Sequence, residues 1–137
     1  MNVKIQAISK EQAWEIRHVV MWPERELEYI QLKDDDKGLH YGLYSGNKLV
    51  SVVSSFEKDA EMQFRKFATL QEEQGKGYGS ELLHFLLNEA QKRDVKRIWC
   101  NARKEKAPFY QKFGLVETGQ CFQRDQKKYM VMEKVFY

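Results

Sequence analysis

Cysteine and proline are scarce in this 137-residue chain, which contains two of each. Cys100 and Cys121 form neither a C-x-x-C pair nor a cluster with histidine, which argues against a zinc site and a disulfide framework. We therefore expect two reduced, mostly buried thiols. The sequence also lacks a hydrophobic leader and an apolar run long enough to cross a bilayer, so we expect a cytoplasmic protein that does not bind membranes.

Charge of neither sign dominates the chain. Its 23 basic and 20 acidic side chains are interspersed and give a net charge of +3, which suits an anionic ligand but does not indicate nucleic acid. A hydrophobic content of 42% and an aromatic content of 13% argue against disorder. The length is that of one domain with its own core, so we predict a single domain over residues 1–137.

Hydrophobic periodicity predicts a mixed α/β (α+β) fold with helices on the faces of a sheet. Strands are predicted over residues 2–8, 39–44, 49–56, 61–70, 95–101, 116–122 and 128–136. Helices are predicted over residues 10–20, 24–32 and 81–93, and a further short helix in the segment that begins at Ala107. Ser9 and Gln12 form a capping box before the first helix, and Pro23 stops it. The predicted order is β-α-α-β-β-β-α-β-α-β-β.

Three consecutive aspartates, Asp34 to Asp36, precede Gly38. They lack the alternate spacing of a calcium loop, so we predict a solvated turn here rather than a cation site.

A glycine-dense loop lies between the predicted strand 61–70 and the predicted helix 81–93. Gly75, Gly77 and Gly79 permit backbone conformations that other residues resist, and the first N–H groups of a helix attract anions. A phosphate site is therefore predicted, and a tight turn without a ligand is the alternative. A nucleoside-triphosphate loop does not fit, because Lys76 precedes the second glycine and is not directly followed by Ser or Thr. A dinucleotide loop does not fit either, because Ser80 stands where its third glycine is required.

The remaining pattern, Gln74-x-x-Gly77-x-Gly79, resembles the coenzyme A pyrophosphate loop of the GNAT N-acetyltransferase superfamily. The segments N-A-R at residues 101–103 and A-P-F-Y-Q-K-F-G-L at residues 107–115 resemble the block that follows the fifth strand in that family. Residues 67–71 occupy the place where the fourth strand of the family ends. These three blocks span about half of the chain, and the first part shows no motif of the family.

The resemblance implies an enzyme that transfers an acetyl group from acetyl-CoA directly to a primary amine of a small molecule or protein, without a metal. It implies that Tyr110 protonates the departing thiolate, and that pantetheine pairs with the strand edge at Phe67, Ala68 and Thr69. Further coenzyme contacts are implied for Gln74, Gly75, Lys76, Gly77, Tyr78, Gly79, Ser80, Asn101 and Lys112.

Several roles stay open. Tyr110 could be a core residue of an amphipathic helix, and Asn101 could cap the helix that follows it. The general base is a glutamate, with Glu72 and Glu73 as candidates, or only water. The family builds its acceptor pocket from regions that contain Arg17, Trp22, Glu24, Tyr29 and His40; a histidine in a strand is more often packed than catalytic.

The expected partners are acetyl-CoA and an amine acceptor, with a homodimer left open. The alternative to an enzyme is a non-enzymatic acyl-CoA-binding or sensor module on the same fold, and the presence of Tyr110 favours the enzyme.

Overall fold

The computed structural model describes residues 2–137. Seven strands run over Val3–Ile8 (β1), Leu39–Ser45 (β2), Lys48–Lys58 (β3), Glu61–Thr69 (β4), Arg97–Arg103 (β5), Val116–Arg124 (β6) and Lys127–Val135 (β7). The α-helices are Lys10–Met21 (α1), Tyr78–Lys92 (α2) and Ala107–Gln111 (α3). This alternation confirms the predicted mixed α/β class.

The strands form one sheet in the order β1-β2-β3-β4-β5-β7-β6. The pairs β1–β2, β2–β3, β5–β7 and β6–β7 are antiparallel, whereas β4 and β5 are parallel. The β4–β5 register covers only Glu61–Gln63 opposite Arg97–Trp99, although both strands continue for several residues beyond it. Lys66, in the continuation of β4, has a φ of 56°, a backbone conformation that regular strands do not use.

Backbone contacts divide the chain into two compact units. The first contains the chain up to Phe56 together with Lys66–Leu86, and its core includes Ala13, Ile16, Leu43, Val50, Val52, Leu82, Leu83 and Leu86. The second contains Glu57–Arg65 and Leu87–Tyr137, and its core includes Met62, Phe64, Ile98, Leu115 and Met132. The single domain stays a prediction.

The capping box before α1 is confirmed. The Gln12 N–H donates to Ser9 Oγ at 3.1 Å, and the Ser9 N–H donates to Gln12 Oε1 at 2.9 Å. Each bond satisfies a donor that has no partner within the helix. None of the helices in residues 2–137 is long and apolar enough to span a membrane.

The helix predicted over residues 24–32 is instead a single 3₁₀ turn at Leu27–Ile30. Only Ile30 is buried in that turn, whereas Leu27 and Tyr29 are exposed. A short helix in water depends on burying an apolar face, and this segment buries one side chain.

The prediction of a solvated turn at Asp34–Asp36 is wrong for Asp35. Asp34 and Asp36 are exposed, but Asp35 is buried against the fully buried guanidinium of Arg17. Asp35 accepts from Arg17 Nη1 at 2.8 Å and Nη2 at 2.9 Å, from Trp14 Nε1 at 2.8 Å and from the Leu32 N–H at 2.8 Å. An ionised carboxylate can be buried when charge and hydrogen bonds both compensate it.

Candidate active site

The glycine loop precedes α2 and adopts the conformation that its sequence predicts. Gly75 and Gly77 have φ values of 83° and 86°, and no atom lies within 4 Å of a Cβ built on either residue. Glycine is therefore needed at both positions for the backbone angle and not for lack of space. Gln74 ties the loop to the end of β4, because its Nε2 donates to the Thr69 carbonyl at 3.1 Å.

The first turn of α2 begins at Tyr78, three residues before the predicted start. The Gly77 carbonyl accepts from the Glu81 N–H at 3.1 Å, which makes Gly77 the residue that caps the helix. The N–H groups of Tyr78, Gly79 and Ser80 therefore have no acceptor within the helix. Together with the positive end of the helix dipole they can hold an anion.

Two side chains of this loop differ in their surroundings. Tyr78 is buried and its hydroxyl lies 3.2 Å from Ser45 Oγ, so only its backbone N–H is available to a ligand. Lys76 is exposed and donates to Glu73 Oε1 at 2.9 Å. That hydrogen bond raises the pKa of Lys76, and the Glu73 charge offsets part of the positive charge predicted for the loop.

The end of β4 lies beside the first turn of α2. A Cβ built on Gly79 would lie 3.6 Å from the Phe67 ring and 3.9 Å from Thr69 Oγ1. The Leu70 N–H donates to the Val50 carbonyl of β3 at 2.9 Å. Backbone groups alternate along a strand, so those of Ala68 also point towards β3, and those of Phe67 and Thr69 point to the opposite edge. Of the three predicted pantetheine contacts, Phe67 and Thr69 have the orientation that strand addition requires.

Tyr110 lies in α3, in the second unit. Its ring centroid is 5.8 Å from that of Phe64 and 5.2 Å from that of Phe109. Burial, with a smaller effect of Cys100, raises the pKa of Tyr110 above its ordinary value, so the phenol is protonated at neutral pH and can donate.

The backbone conformation explains why glycine stands at the end of the F-Y-x-K-x-G segment. Gly114 has a φ of 89°, and a Cβ there would lie 3.0 Å from Lys134 Nζ. The Gly114 N–H donates to the Gln111 carbonyl and the Leu115 N–H to the Tyr110 carbonyl, which closes the C-terminal end of α3. Lys112 is exposed at this end of the helix, and its side chain extends into solvent.

Asn101 and Cys100 are neighbours on β5, which pairs with β7. Asn101 is exposed opposite Val131, and Cys100 is buried. Burial raises the pKa of the Cys100 thiol to about 12, so this thiol is unreactive at neutral pH. Cys121 is exposed, which corrects the expectation that both thiols are mostly buried.

The candidates for the general base are engaged in ion pairs. Glu73 pairs with Lys76, and Glu72 lies 3.6 Å from Lys48. His40 is buried: its Nδ1 lies 2.7 Å from Ser54 Oγ, and its Nε2 lies 3.0 Å from the Asp35 carbonyl. Because that carbonyl can only accept, the Nε2 atom donates to it. Both ring nitrogens are occupied, which confirms a packed histidine.

Burial differs among the four remaining acceptor-pocket candidates. Arg17 is fully buried and donates from Nη2 to Ser54 Oγ at 2.7 Å and from Nη1 to the Ile30 carbonyl at 3.1 Å. It is therefore part of the buried network around Asp35. Trp22 and Tyr29 are in edge-to-face contact at 5.3 Å, with the Arg25 guanidinium 4.6 Å from the Tyr29 ring. Glu24 is exposed.

A family profile described as an acetyltransferase (GNAT) domain matches residues 4–136. The chain belongs to the GNAT acetyltransferase family. This acetyltransferase is 27% identical over 129 residues to the uncharacterized N-acetyltransferase YitI of Bacillus subtilis (strain 168). The aligned region covers 88% of this chain and 87% of that relative. The profile match confirms the predicted family. It also confirms that the protein is an enzyme of the acyltransferase class.

Solved structures agree with the fold of this acetyltransferase. A Lactobacillus plantarum protein assigned to the N-acetyltransferases superposes with a TM-score of 0.86 at 22% identity over 98% of this chain and 99% of that one. A GNAT family acetyltransferase from Elizabethkingia anophelis, solved with acetyl-CoA bound, gives a TM-score of 0.78 at 14% identity over 98% and 99%. At these identities the likeness establishes the fold.

Sequence reasoning missed one group that the structure brings to the end of β4. Ser51 of β3 is fully buried, and its Oγ lies 3.2 Å from the Ala68 carbonyl and 2.8 Å from Thr69 Oγ1. The only signal in the sequence is three serines, Ser51, Ser54 and Ser55, in the otherwise apolar segment 49–56. Each of the three finds a hydrogen-bond partner, as buried hydroxyls require.

Proposed function

We propose that this acetyltransferase uses acetyl-CoA and transfers its acetyl group directly to a primary amine of a small molecule or protein, in a ternary complex. The observation that carries the proposal is the loop before α2, in which two glycines at positive φ lead into open N–H groups at a helix start. Three acetyltransferase structures with this fold contain coenzyme A or acetyl-CoA, which supports the same co-substrate here.

The loop would hold the pyrophosphate through backbone N–H groups. Those of Gly77, Gly79 and Ser80 would donate to phosphate oxygens, and Gln74 would keep the loop at the end of β4 through its bond to Thr69. Lys76 adds positive charge beside the loop, part of which the Glu73 carboxylate offsets. By the resemblance to the family, Lys112 and Asn101 are proposed as further contacts of the coenzyme, Lys112 with phosphate and Asn101 with pantetheine.

Pantetheine would add to β4 as a short strand does. The backbone groups of Phe67 and Thr69, directed to the edge opposite β3, would pair with its amides, as in other cases of strand addition. A backbone N–H at this edge would also polarise the thioester carbonyl in the transition state.

The chemical step needs a neutral amine and a stabilised leaving group. The amine nitrogen attacks the thioester carbon, the carbon–sulfur bond of the tetrahedral intermediate breaks, and sulfur leaves as a thiolate. Tyr110 donates its phenolic proton to that sulfur, and the proton lost by the amine returns through water to the phenolate. Since Glu72 and Glu73 are both paired, we propose bound water as the group that first accepts the amine proton.

The cellular setting completes the proposal. We place the reaction in the cytoplasm, where acetyl-CoA is available and free thiols such as Cys121 stay reduced. A sensor that binds acyl-CoA without turnover is disfavoured, because the family to which the chain belongs is one of acetyltransferases.

The test is calorimetric titration of coenzyme A into wild type and Gly77→Asp, followed by release of free thiol from acetyl-CoA with a panel of amines. Gly77→Asp should abolish binding, because the substitution places a carboxylate among the phosphates and strains a φ of 86°. Gly46→Asp is the matched control: Gly46 also has a positive φ, 64°, and open space around it, but lies in the β2–β3 turn. Equal affinity for both folded variants would contradict the phosphate loop.

A further inference from the structure

Two hydroxyl groups meet at the end of β4. Ser51 Oγ lies 2.8 Å from Thr69 Oγ1 and 3.2 Å from the Ala68 carbonyl oxygen. Ser51 is fully buried, whereas Thr69 is half-buried. A buried hydroxyl is costly unless it is hydrogen-bonded, and both bonds of Ser51 are made to the residues that lead into the glycine loop.

The directions of these bonds follow from donor counting. The Ser51 hydroxyl has one proton, and the Ala68 carbonyl can only accept, so the Ser51 proton is directed at Ala68. The bond to Thr69 must then be donated by Thr69. The proton of the Thr69 hydroxyl is therefore committed to Ser51, and the lone pairs of Thr69 Oγ1 remain to accept a bond.

Thr69 is held at its backbone as well. Its carbonyl accepts from Gln74 Nε2 at 3.1 Å, and its Oγ1 lies 3.9 Å from the position of a Cβ on Gly79, the second residue of α2. Strand end, loop and helix start are thus joined at this one residue. The rotamer of its side chain is fixed by Ser51.

We propose that Ser51 is a positioning residue for coenzyme binding, which turns the Thr69 hydroxyl into a hydrogen-bond acceptor for an amide N–H of the pantetheine arm. The inference rests on the proposed function, since it presumes coenzyme A as the ligand. Pantetheine carries two amide N–H donors, whereas the pyrophosphate that the neighbouring loop would hold carries none at neutral pH, so an oriented acceptor at Thr69 suits the arm and not the pyrophosphate.

The experiment measures the dissociation constants of two ligands by calorimetry: coenzyme A, and adenosine 3′,5′-bisphosphate, which lacks pantetheine. Thr69→Val keeps the shape of the side chain and removes the acceptor. It should raise the dissociation constant of coenzyme A by roughly fivefold, the effect expected from the loss of one hydrogen bond. The dissociation constant of the bisphosphate should not change. Ser51→Ala should weaken coenzyme A binding to a similar extent, and adding Thr69→Val to it should weaken binding little further.

The controls separate positioning from packing. Ser55→Ala removes a second buried β3 hydroxyl, whose Oγ donates to the Leu39 carbonyl at 3.0 Å; it should cost similar stability but leave both affinities unchanged. Thr69→Ser retains the hydroxyl and should restore binding. If Ser51→Ala weakens both ligands equally, or behaves as Ser55→Ala does, the inference is overturned. If the wild type binds neither ligand, the proposed function itself fails.

Discussion

Replacing Asp35 by asparagine tests the buried ion pair of the first unit most directly. The Asp35 and Arg17 side chains are 2% and 0% exposed, and Asp35 accepts four hydrogen bonds. Asparagine keeps the shape but removes the charge and turns its amide NH₂ towards donors. An uncompensated buried charge costs about 3–5 kcal/mol. Since small domains are stable by about 5–15 kcal/mol, Asp35→Asn should lose a large part of the free energy of unfolding.

Urea unfolding followed by circular dichroism is the assay. With a slope of about 2 kcal/mol per molar urea, the midpoint should fall by roughly 2 M. The neighbouring Asp36→Asn is the matched control, because Asp36 is exposed and its partner Lys10 is only half-buried. Exposed pairs contribute about 1 kcal/mol or less. Similar midpoints for the two variants would refute the reasoning.

The pH dependence of the free energy of unfolding tests the same ion pair in a second way. Burial by itself raises the pKa of Asp35, but hydrogen bonds from Arg17, the Leu32 backbone and Trp14 outweigh it and lower that pKa to about 2. A lowered pKa means that this stabilisation is complete above the ordinary value of 3.8 and is lost as the pH falls towards 2. The difference between wild type and Asp35→Asn should therefore shrink by about 2 kcal/mol over that range; a constant difference would contradict the shifted pKa.

Two further predictions concern the second unit. Tyr110→Phe keeps the ring but removes the proton donor, so single-turnover rates should fall by roughly 10²–10⁴-fold while acetyl-CoA affinity changes little; wild-type rates would leave Tyr110 as a packing residue. Cys100→Ser places a hydroxyl at a buried position of β5 and should lower the free energy of unfolding by about 1–3 kcal/mol without changing turnover per folded molecule; a normally folded but inactive variant would instead indicate an acyl-cysteine intermediate.

The glycine loop and the element order could be predicted because their causes are local. The closely spaced glycines of the loop permit the positive φ values found at Gly75 and Gly77, and the Ser9–Gln12 capping box depends on residues three apart. Hydrophobic periodicity similarly locates strands that bury one or both faces. Such features need no knowledge of which distant residues meet.

The buried ion pair could not be predicted, because it joins distant parts of the chain. Asp34, Asp35 and Asp36 are identical in type, and only the position of Arg17 in α1 decides which one is buried. Ser51 was missed for the same reason: its bonds reach Ala68 and Thr69 on the next strand. Periodicity reports which face of an element is buried but not which polar groups find each other there.

The left-handed conformation of Lys66 has a consequence for anyone who wants a more robust catalyst. A non-glycine residue with a φ of 56° costs about 1–2 kcal/mol relative to glycine. Substitutions that relieve such strain are a standard route to thermostability, and the recurrent cost is activity. Lys66 directly precedes Phe67, so relieving its strain would also loosen the stretch of β4 that we assign to pantetheine. Heat resistance in this enzyme is therefore better sought away from that residue.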